Sequence, residues 1–422
     1  MQPWRPNRRA FLGTLSGLAL GSLARRSFAQ SSARVVVVGG GFAGATCARE
    51  LQRTGLEVVL IEASPTYVAC PLSNLVLASL RDLRSQEFGF DALRQQGITI
   101  VQETAERVEP AARRIFLSDG SDLSYDRLVL APGIDLRFDA LPGYDRAAAE
   151  NMPHAWKAGP QTELLHAHLR EMQDGGTVVM SVPPNPYRCP PGPYERASLI
   201  AHYLKTHKPR SKILVLDAKD MFSKQRLFQA AWRKLYPDLL EYVPLAEGGK
   251  VVSVDPASKT VTTDFGEYKA DVANIIPPQQ AGRIAHVAGV ADRTGWCPID
   301  PVTFESTLQR NIHVIGDAAI GGAMPKSAFT ANAQAKCCAA AVASLIRGEQ
   351  PPAPKLINTC YSLVAPDYGI SVAGIYHPAN GLLSEVAGAG GISPLDAPDS
   401  FRALEATYAM AWFDTITHEV FG

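Results

Sequence analysis

The sequence predicts an α/β fold in which two doubly wound parallel sheets precede a C-terminal α+β domain. Three observations support this prediction. A chain of 422 residues is long enough for two or three domains. Two β-branched runs, at 34–38 and 176–182, are each typical of a strand buried on both faces. Apolar residues make up 46% of the chain and charged residues 19%, which excludes a disordered or collagen-like protein.

The balance of charge gives no sign of a nucleic-acid surface. Basic and acidic residues number 41 each, so the formal net charge is zero. Five of the arginines lie within residues 1–29, where there is no acid. The rest of the chain therefore has 36 basic and 41 acidic residues, a net charge of −5.

Residues 1–30 are predicted to be a twin-arginine signal peptide rather than part of the fold. Arg8 and Arg9 precede a weakly apolar run at 11–24, which is too short to cross a ~30 Å hydrocarbon core as a helix. Small residues at 27–29 are typical of a cleavage site. We therefore expect a periplasmic protein exported by the twin-arginine pathway. The alternative is a cytosolic protein with a basic start.

A dinucleotide-binding motif opens the first domain. Strand 34–38 is followed by the glycine pattern G-x-G-x-x-G at 39–44, a helical pattern and a second strand at 57–61. The first glycine permits the turn, the second lets the backbone approach a pyrophosphate, and the third lets helix pack on strand. Glu62 ends the second strand and would accept hydrogen bonds from ribose hydroxyls. Cofactor contacts are expected from Gly39, Gly41, Phe42, Ala43, Gly44, Glu62 and Ala63.

A late strand ending in Gly316-Asp317 indicates that the dinucleotide is FAD. Two-domain flavoenzymes use such a strand to bring an aspartate to the ribityl chain of FAD. The helical pattern at 326–345 would then point its N-terminus at the flavin and stabilise the reduced anion. Between the two motifs, residues 128–133 resemble the crossover that closes the first FAD segment. The remaining contacts are expected from Ala131, Gly316, Asp317 and Lys326.

These motifs predict a discontinuous FAD domain at 31–145 and 265–345. The second Rossmann-like domain, at 146–264, has its first strand but no glycine loop after it. Six prolines instead occupy positions 183–193, where they remove the N–H donors that a pyrophosphate would need. NADH is therefore a poor candidate for the reductant. Residues 346–422 are predicted to form the C-terminal α+β interface domain.

Three of the seven cysteines stand out. Cys189 lies in the proline-rich stretch, and Cys360 lies 171 residues further on, in a region that we expect to be rich in turns. A bridge between them would be either a structural disulfide, worth up to ~5 kcal/mol, or a redox-active one beside the flavin. Cys70 is either a thioether link to the flavin or a small buried residue.

The other cysteines indicate no further chemistry. Cys47, Cys337 and Cys338 are interpreted as packing residues, and Cys297 stays undecided. No C-x-x-C-H motif is present, so the chain itself attaches no c-type haem. No cysteine and histidine cluster has the spacing of a zinc site.

Taken together, these residues resemble the flavoprotein subunit of flavocytochrome c sulfide dehydrogenase. That family belongs to the FAD-dependent pyridine nucleotide-disulfide oxidoreductases, whose fold is glutathione-reductase-like. The resemblance extends over essentially the whole chain after the signal peptide. It rests on the segments 39–44, 67–74, 154–159, 186–196, 324–327 and 393–397. The proline and cysteine block at 186–196 is the most specific of these.

The resemblance implies a sulfide–cytochrome c reductase with a redox-active disulfide. On the family's pattern, FAD is attached through Cys70, the disulfide joins Cys189 to Cys360, and Glu195 is the nearby carboxylate. Hydrosulfide would open the disulfide, and two electrons would reach FAD. Haem c would be present only on the partner, a separate c-type cytochrome subunit. The product would be sulfur, persulfide or polysulfide.

Two other functions stay open at this point. A sulfide:quinone oxidoreductase has a related fold and needs an apolar C-terminal surface at the membrane. The tail at 401–422 has apolar residues at helix-like spacing, but acids interrupt it and basic residues are nearly absent. We interpret it as packing against its own domain or a partner. An exported flavoprotein electron carrier or assembly factor, with no sulfide turnover, is the other alternative.

Overall fold

The computed structural model describes residues 33–422. The predicted signal peptide lies outside the described residues. Within the described part, no helix is both long enough and apolar enough to span a bilayer.

The first segment of the chain, 33–145, alternates strands and short helices. In order these are β1 (Arg34–Val38), α1 (Phe42–Gln52), β2 (Glu57–Ile61), β3 (Tyr67–Val68), α2 (Asn74–Leu77), β4 (Glu87–Phe88), α3 (Asp91–Gln95), β5 (Thr99–Val101), β6 (Ala105–Glu109), β7 (Arg114–Leu117), β8 (Asp122–Ser124), β9 (Arg127–Leu130) and β10 (Ile134–Leu136). Short 3₁₀ turns occur at Leu83–Gln86 and Phe138–Ala140.

The middle segment repeats the strand–helix alternation. Its elements are α4 (Ala148–Asn151), α5 (Pro160–Glu171), β11 (Thr177–Val182), α6 (Gly192–His207), β12 (Lys212–Asp217), α7 (Gln225–Leu235), β13 (Leu240–Val243), β14 (Val251–Asp255), β15 (Thr260–Thr263), β16 (Gly266–Lys269) and β17 (Val272–Ile275). A further 3₁₀ turn lies at Leu245–Glu247.

The last segment returns to the first sheet and then forms an antiparallel sheet with a long helix. Its elements are β18 (Gln279–Ala281), α8 (Arg283–Val287), β19 (Ile312–Val314), α9 (Ala328–Ile346), β20 (Leu356–Ala365), β21 (Tyr368–Ala379), β22 (Leu382–Glu385), β23 (Gly391–Ile392) and α10 (Asp399–Phe421). A 3₁₀ turn at Gly316–Ala318 follows β19.

Two parallel sheets form the centres of the two predicted Rossmann-like domains. The first has the strand order β19-β9-β1-β2-β5, and every neighbouring pair is parallel. The second has the order β13-β12-β11-β17, again parallel throughout. Strands such as β1, with four consecutive buried valines, show the continuous apolar pattern of a sheet covered on both faces. The predicted α/β fold class is confirmed.

The second sheet extends further along the chain than the sequence predicts. The sequence places residues 265–345 in the FAD domain, yet β17 pairs with β11 through Val178↔Val272 to Ser181↔Ile275. β16 completes the antiparallel set β14-β15-β16 next to it. The last strand of the second domain therefore ends at Ile275, because pairing partners far apart in sequence decide where this strand belongs.

The C-terminal helix packs against the first domain of its own chain. The Phe421 ring at the end of α10 stacks on Tyr67 at 5.4 Å and on Phe88 at 5.2 Å between ring centroids. α10 also packs on β20 and β21, whose sheet carries β22 and β23. Phe413, Ile416 and Phe421 of the tail are thereby buried, whereas Tyr408 is 49% exposed.

Candidate functional site

One cavity of about 480 Å³ collects residues from all three predicted domains. This volume is within the range of small-molecule sites. Most of the predicted site residues line it: Gly39, Gly41, Phe42, Ala43, Glu62, Cys70, Ala131, Cys189, Glu195, Gly316, Asp317 and Cys360. Gly44, Ala63 and Lys326 do not line it.

The glycine turn has the geometry that the motif predicts. Gly39 has φ +99°, and a Cβ there would lie 2.4 Å from the carbonyl oxygen of Ala131. A Cβ on Gly44 would lie 1.8 Å from the carbonyl oxygen of Gly39, so only glycine lets α1 approach the turn this closely. No side chain caps the start of α1, which leaves its first N–H groups facing the cavity. Glu62 braces the turn by accepting from the Gly40 N–H at 2.6 Å.

Asp317 also lines the cavity. Its Oδ1 atom is buried and has no hydrogen-bond partner among the described residues. Burial raises the pKa of Asp317, while Arg188 and Lys326 act in the opposite direction. An unpartnered acceptor in this position fits a hydroxyl donor such as the ribityl chain of FAD, so the residues present fit the cofactor.

Lys326 supports the loop that carries Asp317. Its Nζ donates to the carbonyl oxygens of Asp317 at 2.7 Å and Ala319 at 2.8 Å, and it lies 3.9 Å from the centroid of the Trp296 ring. Burial lowers the pKa of Lys326 to about 8. α9 starts two residues later, and Ala328 and Phe329 in its first turn line the cavity, as expected for a helix that points at the cofactor.

Cys189 lies in a strained turn at the cavity wall. Its φ is +58°, a region that non-glycine residues rarely adopt. The turn is held because the Cys189 N–H donates to the carbonyl of Lys326 at 2.7 Å and the Gly192 N–H donates to the Cys189 carbonyl at 2.8 Å. Burial raises the pKa of the Cys189 thiol, and Cys360 and Glu195 add to this effect. The proline-rich stretch thus presents one sulfur at a defined place.

Cys360 reaches the same cavity from the C-terminal sheet. The prediction of a turn-rich region is wrong here, because Cys360 lies in the middle of the ten-residue strand β20, paired with Val372 of β21. Asn358 donates to its sulfur at 3.4 Å. Both Cys189 and Cys360 are free thiols in the structure, and both line the cavity. The fold brings the two predicted cysteines to one site, and their bonding stays a prediction.

Glu195 lies beside this pair, in the first turn of α6. Its residue is 8% exposed, Oε1 accepts from the Leu363 N–H at 3.0 Å, and Oε2 accepts from Asn74 at 3.3 Å. Burial raises the pKa of Glu195, and these hydrogen bonds together with Lys224 and Arg196 only partly offset it. A carboxyl whose pKa is raised by burial is a candidate for proton transfer.

Cys70 lies in the part of the wall that also holds Trp156 and Arg188. Its sulfur is 3.9 Å from the carbonyl oxygen of Trp156, which also accepts from the Arg188 guanidinium. No role was predicted for Arg188, although it immediately precedes Cys189 in the segment 186–196. Burial acts to lower the pKa of Arg188, but the neighbouring Cys70 and Asp317 raise it by more, so the pKa lies above its usual value. The cavity therefore contains a fixed positive charge close to Cys70.

Lys224 is the other functional candidate that sequence reasoning missed. It lies in the loop before α7 and is 6% exposed. Its Nζ donates to the carbonyl oxygen of Cys360 at 2.9 Å and to the Ser362 hydroxyl at 2.8 Å. Nothing in its local sequence indicated this contact, because its partners lie more than 130 residues further along the chain.

The corresponding nucleotide site of the second sheet is filled by the protein's own side chains. Asp217 ends β12, where an acid would accept from the ribose of a nicotinamide nucleotide. It is fully buried and accepts instead from Tyr194 at 2.6 Å, Tyr242 at 3.1 Å and Lys219 at 2.6 Å. Tyr194 also stacks on Phe222, with ring centroids 3.5 Å apart. This acid is therefore not free to accept from a ribose.

Models of three protein families match the chain. The pyridine nucleotide-disulphide oxidoreductase model matches residues 33–178. The model for the central part of the sulfide dehydrogenase (flavocytochrome c) flavoprotein chain matches 162–277, and the flavocytochrome c sulphide dehydrogenase flavin-binding model matches 352–421. A flavoprotein chain of this sulfide dehydrogenase from Chlorobaculum thiosulfatiphilum is 49% identical over 45 residues, which are 10% of this chain and 94% of that sequence. The chain belongs to the flavocytochrome c sulfide dehydrogenase flavoprotein family. This confirms the resemblance seen in the sequence.

Longer but more distant similarities are to sulfide:quinone oxidoreductases. The mitochondrial enzyme of Dictyostelium discoideum is 22% identical over 324 residues, covering 72% of this chain and 69% of that protein. The solved structure of the Aquifex aeolicus enzyme has a TM-score of 0.71 at 18% identity and covers 92% of both chains. Similarity at this level shows the fold. With the family, it makes the protein an FAD-dependent oxidoreductase of the glutathione-reductase-like type.

Proposed function

We propose that the protein oxidises sulfide at a cysteine pair beside FAD and passes the electrons to a c-type cytochrome. One observation carries the proposal: Cys189, Cys360 and Glu195 line the same cavity as the glycine turn and Asp317. The family membership supports sulfide as the substrate, and the blocked position of Asp217 supports electron flow without a nicotinamide nucleotide.

The proposed chemistry starts from a disulfide between Cys189 and Cys360. A hydrosulfide ion attacks one sulfur, so that the S–S bond breaks, one cysteine becomes a persulfide and the other a thiolate. A second hydrosulfide removes the outer sulfur as hydrogen disulfide and leaves a second thiolate. Re-forming the bridge between the two cysteines then releases two electrons. The net reaction converts two hydrosulfide ions to one hydrogen disulfide and two electrons. FAD, when bound, supplies a two-electron acceptor that can pass electrons on singly.

Glu195 is proposed to hold and release protons during these steps. Its buried carboxyl lines the same cavity as both cysteines and raises the pKa of Cys189. A protonated Glu195 limits the negative charge in the cavity while thiolates form. An ionised Glu195 accepts the proton of an incoming thiol or of the leaving product.

Two features of the cofactors are part of the proposal. FAD is attached through the Cys70 sulfur, whose position in the cavity wall supports a thioether. Haem c is carried by a separate cytochrome subunit, because the sequence contains no haem attachment motif. The mass of the denatured chain tests the first feature, since an attached FAD remains on the protein after unfolding.

Export to the periplasm is proposed from the first 30 residues. The Arg8-Arg9 pair and the short apolar run are the supporting observations. We expect the mature protein in the periplasmic fraction, starting near residue 30, and an Arg8→Lys, Arg9→Lys variant retained in the cytoplasm with its precursor mass. Normal export of that variant would contradict the proposal.

The test of the main proposal is sulfide-dependent bleaching of the flavin, followed by stopped-flow absorbance. Cys360→Ser removes one half of the cysteine pair and should slow bleaching by at least 100-fold. Cys337→Ser is the matched control, because Cys337 lies on α9 and does not line the cavity. Unchanged bleaching in Cys360→Ser would favour a flavoprotein electron carrier without sulfide turnover.

A quinone acceptor is the second candidate, since sulfide:quinone oxidoreductases share the fold over most of the chain. Steady-state turnover with sulfide and either cytochrome c or decylubiquinone separates the two acceptors. We expect cytochrome c to be reduced faster. Reduction of decylubiquinone alone would overturn the choice of acceptor and leave sulfide oxidation in place.

A further inference from the structure

Lys224 is a buried cation held against the strand that carries Cys360. It is 6% exposed and has φ +62°, a backbone conformation that lysine rarely adopts. Its Nζ donates to the carbonyl oxygen of Cys360 at 2.9 Å and the Ser362 hydroxyl at 2.8 Å, and more distantly to the carbonyl of Ile370 at 3.4 Å. All three acceptors are neutral. The backbone strain and the burial of the charge are both unfavourable, so this arrangement calls for a function.

A comparison with Lys219, another buried lysine, shows that the charge of Lys224 lacks a counterion in the described part of the chain. Lys219 donates to the carboxylate of Asp217 at 2.6 Å, so its charge has a fixed counterion. Among the described residues, Lys224 forms no ion pair within 4 Å. An ammonium group buried without a paired anion is costly unless an anion forms next to it at some stage.

The groups that face Lys224 come from four elements of the structure. They are Cys360 on β20, Glu195 on α6, Cys189 in the turn before α6, and Glu405 on α10. Glu405 is already held by Arg402 at 3.3 Å and by the hydroxyls of Ser371 and Ser393. Glu195 has a hydrogen bond to each oxygen. The cysteine sulfurs are therefore the facing groups whose charge changes when the pair is opened.

We propose that Lys224 is a positioning residue for the cysteine pair: anchored on the Cys360 carbonyl, its ammonium group compensates the negative charge that appears on the Cys360 sulfur when the pair is opened. This rests on the proposed function, because only a pair that opens during turnover needs such compensation. Burial lowers the pKa of Lys224 to about 8, while Cys360, Glu195 and Cys189 act to raise it. The group is therefore charged at pH 7, where an anionic sulfur, as thiolate or persulfide, would be its counterion.

The test measures how readily Cys360 is alkylated in the reduced, FAD-loaded protein. Iodoacetamide reacts with thiolates, and peptide mass spectrometry reports Cys360 separately from the other cysteines. In Lys224→Met, which removes the charge, we expect the pH profile of alkylation to move up by one unit or more. This corresponds to about ten-fold slower alkylation at pH 7, because a neighbouring opposite charge shifts a titration by about 1–3 units.

Three further variants separate charge from structure. Lys224→Gln has no charge but keeps donors for the backbone carbonyls, and it should be slowed like Lys224→Met. Lys224→Arg keeps the charge and should restore alkylation to within about three-fold of the natural protein. Ser362→Ala removes one hydrogen-bond partner and leaves the charge, so its pH profile should stay in place.

The outcomes are distinct from those of the sulfide assays, because no sulfide is used. Folded Lys224→Met or Lys224→Gln protein with the natural pH profile would overturn the role of Lys224 and leave sulfide oxidation untouched. Should both neutral variants fail to fold, Lys224→Arg decides: alkylation near the natural rate supports the proposal, and a ten-fold loss overturns it. Absence of sulfide-dependent bleaching in the natural protein would instead defeat the proposed function, on which the role of Lys224 in turnover rests, whatever the alkylation rates show.

Discussion

Because the carboxylate of Asp317 is unpartnered within the described part of the chain, replacing it by Asn should stabilise the FAD-free protein but weaken its binding of FAD. In the structure its Oδ1 atom is buried and accepts no hydrogen bond from the described residues. Burial raises its pKa, which means that the charged form is disfavoured in the fold. Asp317→Asn keeps the size of the side chain and removes the charge. Without FAD the variant should be more stable than the natural protein, and with FAD it should bind the cofactor less tightly.

The sizes of both effects follow from the unpaired oxygen. Burying a charged group without a partner costs more than the ~1–3 kcal/mol of a neutral polar group, and Asn removes only the charge. The free energy of unfolding of the FAD-free protein should therefore rise by about 1 kcal/mol, the part of the cost that is due to the charge. A hydrogen bond to a charged acceptor contributes about 1.5–3 kcal/mol, so the dissociation constant for FAD should rise about 10- to 150-fold. Because the folded-state pKa is raised, the natural protein loses stability as pH rises through it. The gain from Asp317→Asn should therefore vanish at low pH and be largest at high pH.

The assay uses a Cys70→Ser background, in which FAD binds without a covalent link. Thermal unfolding of the FAD-free protein between pH 5 and pH 9 gives the change in stability, and flavin fluorescence quenching gives the dissociation constant. A variant that is less stable without FAD at every pH, with unchanged FAD affinity, would refute the assignment of Asp317 to the cofactor.

Four further predictions concern three residues in or next to the cavity. Gly44→Ala should prevent FAD binding, since its Cβ would lie 1.8 Å from a backbone oxygen; a variant that still retains FAD, judged by its absorbance spectrum, would contradict the close packing of α1. Glu195→Gln should slow flavin bleaching by sulfide about 100-fold and remove the titration of a carboxyl whose pKa is raised, so a pH–rate profile that keeps this titration would assign it to another group. The same raised pKa predicts that the natural protein loses stability relative to Glu195→Gln as pH rises, which thermal unfolding checks. Cys70→Ser should release all its FAD on denaturation, whereas the natural chain should keep it; FAD lost from both would exclude the covalent link.

Local sequence was sufficient to predict the strands and the glycine turn at the start of the first domain. The strands at 34–38 and 57–61 were predicted with their observed bounds. The steric roles of Gly39 and Gly44 also follow from the motif, because contacts within a few residues of the turn determine them. Asp317 could be placed for the same reason, since a strand followed by Gly-Asp is a local pattern.

Features that depend on long-range pairing were not accessible in this way. The region around Cys360 was predicted to be rich in turns, whereas pairing with β21 makes this segment a ten-residue strand. β17 was assigned to the wrong domain because its partner β11 lies about 95 residues earlier in the chain. Lys224 carries no local signal at all, since its contacts with Cys360 and Ser362 span more than 130 residues. The predicted pairing of Cys189 and Cys360 came from family resemblance, and the fold brings both to one cavity.

The most direct test of this account is a disulfide map of the protein purified without reductant. Free thiols are blocked, the chain is digested without reduction, and the peptides are identified by mass spectrometry. We predict one peptide in which Cys189 is linked to Cys360, and its loss after anaerobic treatment with sulfide. If both cysteines are recovered as blocked thiols in the oxidised protein, the redox pair does not exist and the proposed chemistry is wrong.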